Sequence, residues 1–260
     1  MGSSSGSRAG IVPLALIGVL AGIFSGLFGI GGGTLIVPAL ALWLSFPQRL
    51  AAGTSLAAIL PMAVVGATSY GVQGNIDWTA AALLAFGVIF GAQLGSYLLA
   101  KAPVAFLQWA FLGFLAVVIV SLWVVVPQRD NVISMSVGVG ALLLLTGFIV
   151  GIFSSLLGVG GGVVLVPVLI LFFGTSDLIA KGSSLAMMIP GAISGTIGNR
   201  RRKNVNLRAA AIIGIAGSVT APFGALLAAW IDPFIGNILF SVYLAFIAAQ
   251  LLWRKIKRRK

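Results

Sequence analysis

Cysteine, histidine and glutamate are all absent from the 260-residue sequence. Without cysteine the chain can form neither a disulfide bond nor a thiolate nucleophile, and without histidine it has no imidazole base or metal ligand. Its only carboxylate side chains are those of Asp77, Asp130, Asp177 and Asp232. We therefore predict a protein that is not an enzyme and that holds neither a metal ion nor a cofactor.

Charged residues make up only 8% of the chain, whereas 60% of the residues are hydrophobic. The mean hydropathy is +1.15, and no soluble domain of this size could present such a composition to water. The apolar residues fall into runs at 11–28, 34–46, 50–72, 79–100, 104–126, 132–157, 163–174, 183–198, 209–231 and 234–253.

Most of these runs are near the length of about 20 residues that crosses a bilayer as a helix. We therefore predict an all-α, polytopic protein of the cell membrane with about eight spanning helices. The runs 34–46 and 163–174 are too short for an ordinary span, and each follows a glycine-rich string. We predict that both are short broken or re-entrant segments.

The glycine-rich string occurs twice, as GIGGG from Gly29 and as GVGGG from Gly158. Between residues 22–40 and 151–169, twelve of nineteen positions are identical without a gap, which indicates a duplication. The offset of 129 residues also relates GTSLA from Gly53 to GSSLA from Gly182. We therefore predict two homologous repeats. The predicted divisions are a tag-like or disordered N-terminus at 1–10, transmembrane repeat 1 at 11–127, a linker at 128–139, transmembrane repeat 2 at 140–256 and a basic cytoplasmic tail at 257–260.

The net charge of +12 is concentrated at residues 200–208 and 254–260. Beside membrane spans such clusters set orientation, because Lys and Arg stay on the cytoplasmic side, where they also attract anionic lipid. An odd number of crossings per repeat places fourteen of the sixteen basic residues inside, against thirteen for an even number. This difference favours inverted over parallel repeats, with both termini cytoplasmic. From the position of the basic clusters beside membrane spans we predict membrane lipids as partners and no binding of nucleic acid.

Glycine clusters should interrupt a helix, since glycine is the costliest ordinary residue in a helix interior after proline. Non-helical backbone cannot face lipid and must be buried in protein or line a wet cavity. Two breaks at matching places in two halves therefore indicate a transporter's binding site. The alternative is helix packing alone, in which the glycines only let two backbones touch.

Neutral hydrogen-bond donors surround the two strings. Backbone amides at the start of a half-helix near Gly32 or Gly161, with the positive end of the helix dipole, suit a small oxygen-rich anion. Ser155 is a further neutral donor, Lys181 could attract anions, and Gln93 could tune specificity. The predicted substrate-binding residues are Ser25, Gly29, Gly31, Gly32, Gly33, Thr54, Ser55, Ser154, Gly158, Gly160, Gly161, Gly162, Ser183 and Ser184.

The repeated G-x-GGG-xxx-VP, the following G-[TS]-S-L-A and the string GNIDW from Gly74 resemble the TauE/SafE family of sulfite exporters and sulfur-compound permeases. The resemblance covers both halves. It implies a secondary transporter of sulfite, thiosulfate, sulfonates such as sulfoacetate, or other small organic anions. The second half departs from the family pattern at NVNL, residues 204–207, and at Lys181, which leaves the substrate open.

We expect an alternating-access carrier in which the two breaks meet near the midplane. A channel-like anion pore and a membrane scaffold without transport are the alternatives. Without histidine or membrane carboxylates, proton coupling would depend on a protonatable substrate such as bisulfite, and sodium bound by freed carbonyls is the other possibility. The direction of transport and assembly as a homodimer are left open by the sequence.

Overall fold

The computed structural model describes residues 10–124 and 133–257. Residues 1–9 of the predicted N-terminal segment, residues 128–132 of the predicted linker and the last three residues of the tail lie outside these ranges. Within them the chain forms ten helices, which confirms the all-α prediction. They are α1 (Ile11–Phe28), α2 (Gly33–Pro38, continued as a π-helix over Ala39–Trp43), α3 (Gln48–Val72), α4 (Trp78–Lys101), α5 (Val104–Val124), α6 (Val137–Leu157), α7 (Gly162–Phe173), α8 (Asp177–Arg201), α9 (Leu207–Trp230) and α10 (Pro233–Lys257).

Helices α7 to α10 begin 129 residues after α2 to α5 respectively. The starts of α4 and α9 also use equivalent caps. Asp77 Oδ1 accepts a hydrogen bond from the Ala80 amide at 2.9 Å, and Asn206 Oδ1 accepts one from the Ala209 amide at 3.1 Å. Each cap satisfies an amide that would otherwise lack a partner in the first helical turn. The offset seen in the sequence is thus present in the helix boundaries.

Helix α8 is longer than its apolar run at 183–198. Ser176 caps its start, where Asp177 lies in the first turn and pairs with Lys181 at 3.1 Å. Arg200 and Arg201 lie in the last turn. Negative charge at a helix start and positive charge at its end are both favourable, so polar residues extend this helix beyond the apolar run.

Glycines allow two pairs of parallel helices to pack with their backbones in contact. In α1, Gly18 and Gly22 lie against Ile213 and Gly217 of α9 in the same order along both helices. Gly87 and Gly91 of α4 meet the backbone of α6 in the same way. Such close packing is typical of membrane helices, where small residues let backbones approach.

Helices α3 and α8 run antiparallel through the centre of the bundle. Leu56 of α3 packs beside Gly195 of α8, whereas Leu185 packs beside Gly66. We call the end where α3 begins and α8 finishes the basic end, because Arg49, Lys101 and residues 200–203 lie there. The opposite end, with Asp77, Asp177 and Asp232, is the acidic end.

Five helices in the described ranges are long and apolar enough to cross a membrane, namely α1, α3, α4, α6 and α9. Three shorter apolar helical stretches accompany them, at Gly33–Trp43, Gly162–Phe173 and Pro233–Phe246. The chain is therefore a multi-pass membrane protein. The predicted total of about eight spans stays a prediction.

Candidate functional site

The helix is interrupted at both glycine strings, as the sequence predicts. Helix α1 ends at Phe28 and α2 begins at Gly33, with Gly29, Gly31 and Gly32 at φ values of 68°, 72° and 73°. The second interruption, between α6 and α7, places Gly158, Gly160 and Gly161 at 73°, 86° and 85°. Residues other than glycine are strained at such φ values because of their Cβ atom, so these turns need the glycines.

Each break reverses the chain toward the end of the bundle from which it came. Helices α1 and α2 form a hairpin from the basic end, and α6 and α7 form one from the acidic end. The two tips touch: a methyl group added at Gly33 would lie 2.6 Å from the Val159 Cα and 2.7 Å from the Gly158 carbonyl oxygen. In the second half, the counterpart of Gly33 is Gly162, which packs against the Gly29 carbonyl of the first break. All the glycines predicted to bind substrate are buried.

The helices that leave the breaks have bare N-termini. Gly32 and Gly161 are their N-cap residues, and neither start has a side-chain cap. In α2 the first intrahelical hydrogen bonds run from the amides of Leu35 and Ile36 to the carbonyl of the cap residue Gly32. In α7 they run from the amides of Val164 and Leu165 to the carbonyl of Gly161. The first amides of both helices therefore remain available, next to the positive ends of two helix dipoles.

Two of the predicted hydroxyls bind the break of the opposite half. Ser55 Oγ donates to the Gly158 carbonyl at 2.7 Å, and Ser184 Oγ donates to the Gly29 carbonyl at 3.0 Å. Both serines are fully buried. Their protons are thus engaged with protein carbonyls, and the two serines hold each tip against the other repeat.

Thr54 and Ser183 bind loop amides rather than the breaks. Thr54 Oγ1 accepts from the Asn206 amide and Ser183 Oγ accepts from the Asp77 amide, both at 2.9 Å. Their hydroxyls tie the two central helices to the chain that enters α9 and α4. This geometry supports the alternative in which a membrane hydroxyl bridges helices.

Ser25 and Ser154 occupy equivalent positions on α1 and α6. Ser25 Oγ is completely buried and has no hydrogen-bond partner among the described residues. Ser154 Oγ lies 3.7 Å from where a methyl group at Gly161 would stand. Ser25 thus keeps an unpartnered hydroxyl among the described residues, as the expected role requires, and Ser154 lies beside the N-cap residue of α7.

Two apolar side chains that the sequence did not indicate lie where the breaks meet. The methyl end of Met188 packs against both Gly31 and Gly160, and Ile59 packs beside it. Ile59 and Met188 are 129 residues apart and both are fully buried. Only the repeat offset could have linked them, because neither residue type signals a ligand site.

Lys181 and Gln93 also have protein partners. Lys181 forms the ion pair with Asp177, and its Cα lies 2.6 Å from the position of a methyl group at Gly29. Gln93 of α4 donates to the Ser194 carbonyl at 2.7 Å, which links two helices.

A surface groove between α3 and α9 lies at the acidic end. Its walls are largely apolar and include Val65, Val72, Pro222 and Leu226. Val72 is 85% exposed, so this groove suits lipid chains better than an anion.

Comparison with known proteins adds a family. The family model described as "Sulfite exporter TauE/SafE" matches residues 2–125 and 143–260. None of the solved structures is a significant match.

Several bacterial proteins are similar in sequence. YunE of Bacillus subtilis is 40% identical over 80 residues, 31% of this chain and 29% of that protein. A Haemophilus influenzae protein is 32% identical over 166 residues, which is 61% of this chain and 62% of that protein. YdhB of Bacillus subtilis is 27% identical over 192 residues, 71% of this chain and 77% of that protein. All three are called probable membrane transporter proteins, and the chain spans less than two thirds of the first two.

Proposed function

The chain belongs to the sulfite exporter TauE/SafE family of membrane transporters, which are not enzymes, and from this we propose that it carries a small oxyanion through the point where its two breaks meet. Sulfite, thiosulfate and sulfoacetate are the candidate substrates. The observation that carries the proposal is the contact between two buried, uncapped helix starts that come from opposite ends of the bundle.

Inverted repeats account for this arrangement. The counterpart helices α3 and α8 run in opposite directions, and so do α1 and α6, because α1 is parallel to α9 and α6 is parallel to α4. Each repeat then crosses the membrane an odd number of times. With the basic end in the cytoplasm, as Lys and Arg require, both termini are cytoplasmic.

The substrate class follows from the chemistry at the tips. Available amides and two positive helix ends favour negative charge, and glycine lets an oxyanion approach the backbone closely. Asp177 is the described aspartate nearest to the first break, and it is paired at 3.1 Å with Lys181, whose Cα packs against Gly29. Asp77 and Asp232 lie in the loops of the acidic end. Proton coupling would then depend on a protonatable substrate such as bisulfite, with sodium as the alternative.

Alternating access fits the closed contact between the tips. Gly33 touches Val159, and Met188 lies against both breaks, so an anion can enter only when the tips part. A rocking of one repeat against the other, around α3 and α8, would expose the tips to one side at a time.

Transport in proteoliposomes tests the proposal. We expect uptake of radiolabelled sulfite, thiosulfate or sulfoacetate that saturates with concentration and accelerates when unlabelled anion is present on the opposite side. Large ionic currents without such trans-stimulation would favour a channel. A purified, folded protein that moves none of these anions would favour a scaffold and contradict the proposed function.

A further inference from the structure

Two buried polar side chains beside the second break lack a partner. Ser155 Oγ makes no hydrogen bond among the described residues, and neither do Oδ1 and Nδ2 of Asn199. Both residues are 0% exposed. A buried polar group left unsatisfied destabilises the folded state, so a pair of them indicates a ligand that completes their hydrogen bonds.

The two side chains lie where α3, α6 and α8 meet. Ser155 precedes Gly158 by three residues, and its Oγ fills the space beside Gly195 of α8. Asn199 is one turn further along α8, with its Cβ 3.3 Å from where a methyl group at Gly53 would stand. Since Gly195 and Asn199 follow Met188 along α8, both side chains lie between the basic end and the point where the two breaks meet.

The first half fills the equivalent place differently. Residues 129 positions before Ser155 and Asn199 are Gly26 and Tyr70. The Tyr70 hydroxyl donates to the Gly26 carbonyl at 2.7 Å, so a large aromatic side chain satisfies its own polar group there. On the acidic side the place is closed, whereas on the basic side it is lined by an amide and a hydroxyl.

We propose that Ser155 and Asn199 form a binding site for a singly protonated oxyanion, such as hydrogen sulfite, between the basic end and the point where the two breaks meet. This site rests on the proposed function. The Asn199 Nδ2 and the Ser155 hydroxyl donate to anionic oxygens, whereas Asn199 Oδ1 can only accept. A ligand that has anionic oxygens and also one O–H group satisfies all three atoms, because the oxygens accept from the two donors and the O–H donates to Oδ1. A fully ionised dianion has no proton to donate, and its charge would be repelled by Oδ1.

The charged groups around this site are positive and attract anions. They are Arg49 on α3, Lys101 on α4, Arg200 and Arg201 at the end of α8, Arg202 and Lys203 just after it, and Arg208 on α9, while α6 carries no charged residue. Arg49 donates to the Ala102 carbonyl at 2.9 Å. The sequence has no histidine and the described aspartates lie at the acidic end, so we assign any pH dependence of binding to protonation of the ligand.

Sulfite binding to the purified protein, measured by calorimetry and by uptake into proteoliposomes, tests the site. We expect tighter sulfite binding at mildly acidic than at mildly alkaline pH, and no competition from sulfate, which is fully ionised at both. Asn199→Asp and Ser155→Ala should each weaken sulfite binding by about tenfold to a hundredfold. Asn75→Asp makes the same change in the loop at the acidic end and should leave binding unchanged.

A second variant separates loss of binding from loss of fold. Asn199→Tyr combined with Ser155→Gly copies both residues found in the first half, so we expect a normal melting temperature and loss of sulfite binding. Wild-type affinity in Asn199→Asp and Ser155→Ala would overturn the site while leaving the proposed function intact. Equal affinity at both pH values would overturn its selectivity, and a wild type that carries no anion would remove the proposed function as well.

Discussion

Replacing Gly33 by alanine tests whether transport needs the contact between the two breaks. Gly33 is the first residue of α2 and is not among the positive-φ glycines, so the backbone accepts alanine. The new methyl group would stand 2.6 Å from the Val159 Cα, whereas ordinary contacts begin at 3.4 Å. To restore an ordinary contact, the backbone of the second break must move about 0.8 Å away from Gly33. Backbone packed this closely does not shift without an energetic cost.

The retreat has two costs. Overpacking a close-packed interior costs about 1–3 kcal/mol. The Gly158 carbonyl would also move relative to Ser55 Oγ, its donor at 2.7 Å, and stretch that hydrogen bond toward its limit. Since about 1.4 kcal/mol corresponds to tenfold, we expect Gly33→Ala to slow sulfite transport by at least about tenfold.

Gly138→Ala is the matched control for this variant. Gly138 lies in the first turn of α6, and its nearest contact for a methyl group is Ser136 Oγ at 4.0 Å. Sulfite flux into proteoliposomes, normalised to folded protein, should be unchanged in this control. Wild-type flux in Gly33→Ala would refute the reasoning, because the tips would then be separable without effect.

Three further sets of variants test neighbouring parts of the site. Ser55→Ala and Ser184→Ala should each lower the free energy of unfolding by about 0.6 kcal/mol and at most about 1.7 kcal/mol, which is what interhelical hydrogen bonds contribute in membranes. A melting curve identical to that of the wild type would show that the bonds to the opposite break do not stabilise the protein. Met188→Phe should block sulfite transport by adding a rigid ring between the breaks, whereas Met188→Leu should preserve it; equal flux in both would place the pathway elsewhere. Lys181→Met should lower the melting temperature more than the double variant Lys181→Met with Asp177→Asn, because only the single variant leaves the buried Asp177 carboxylate unpaired. Equal melting temperatures of the two variants would contradict this.

The breaks and most helix boundaries follow from the sequence by simple physical rules. Clustered glycines interrupt a helix wherever they occur, and the apolar run 11–28 coincides with Ile11–Phe28. The ends of α8 were not predicted, because the residues that cap it and interact with its dipole are polar. Hydropathy marks the apolar part of a helix and not its capped ends.

The partners of the site residues could not be predicted from the sequence. Ser55 and Ser184 reach carbonyls 103 and 155 residues away, so their roles depend on how the two repeats dock. Before docking is known, a hydroxyl near a break is equally suited to a ligand or to a carbonyl. Asn199 was missed for the same reason, since its significance lies in having no partner where its counterpart Tyr70 has one.

Crystals soaked with selenite, an anomalously scattering analogue of sulfite, provide the most direct test of the anion site at the breaks. We expect an anomalous peak within hydrogen-bond distance of the amides at Gly31–Gly33 or Gly160–Gly162, together with a second peak beside Asn199. A peak confined to the apolar groove at Val65 and Pro222, with helix tips that bind nothing, would contradict it.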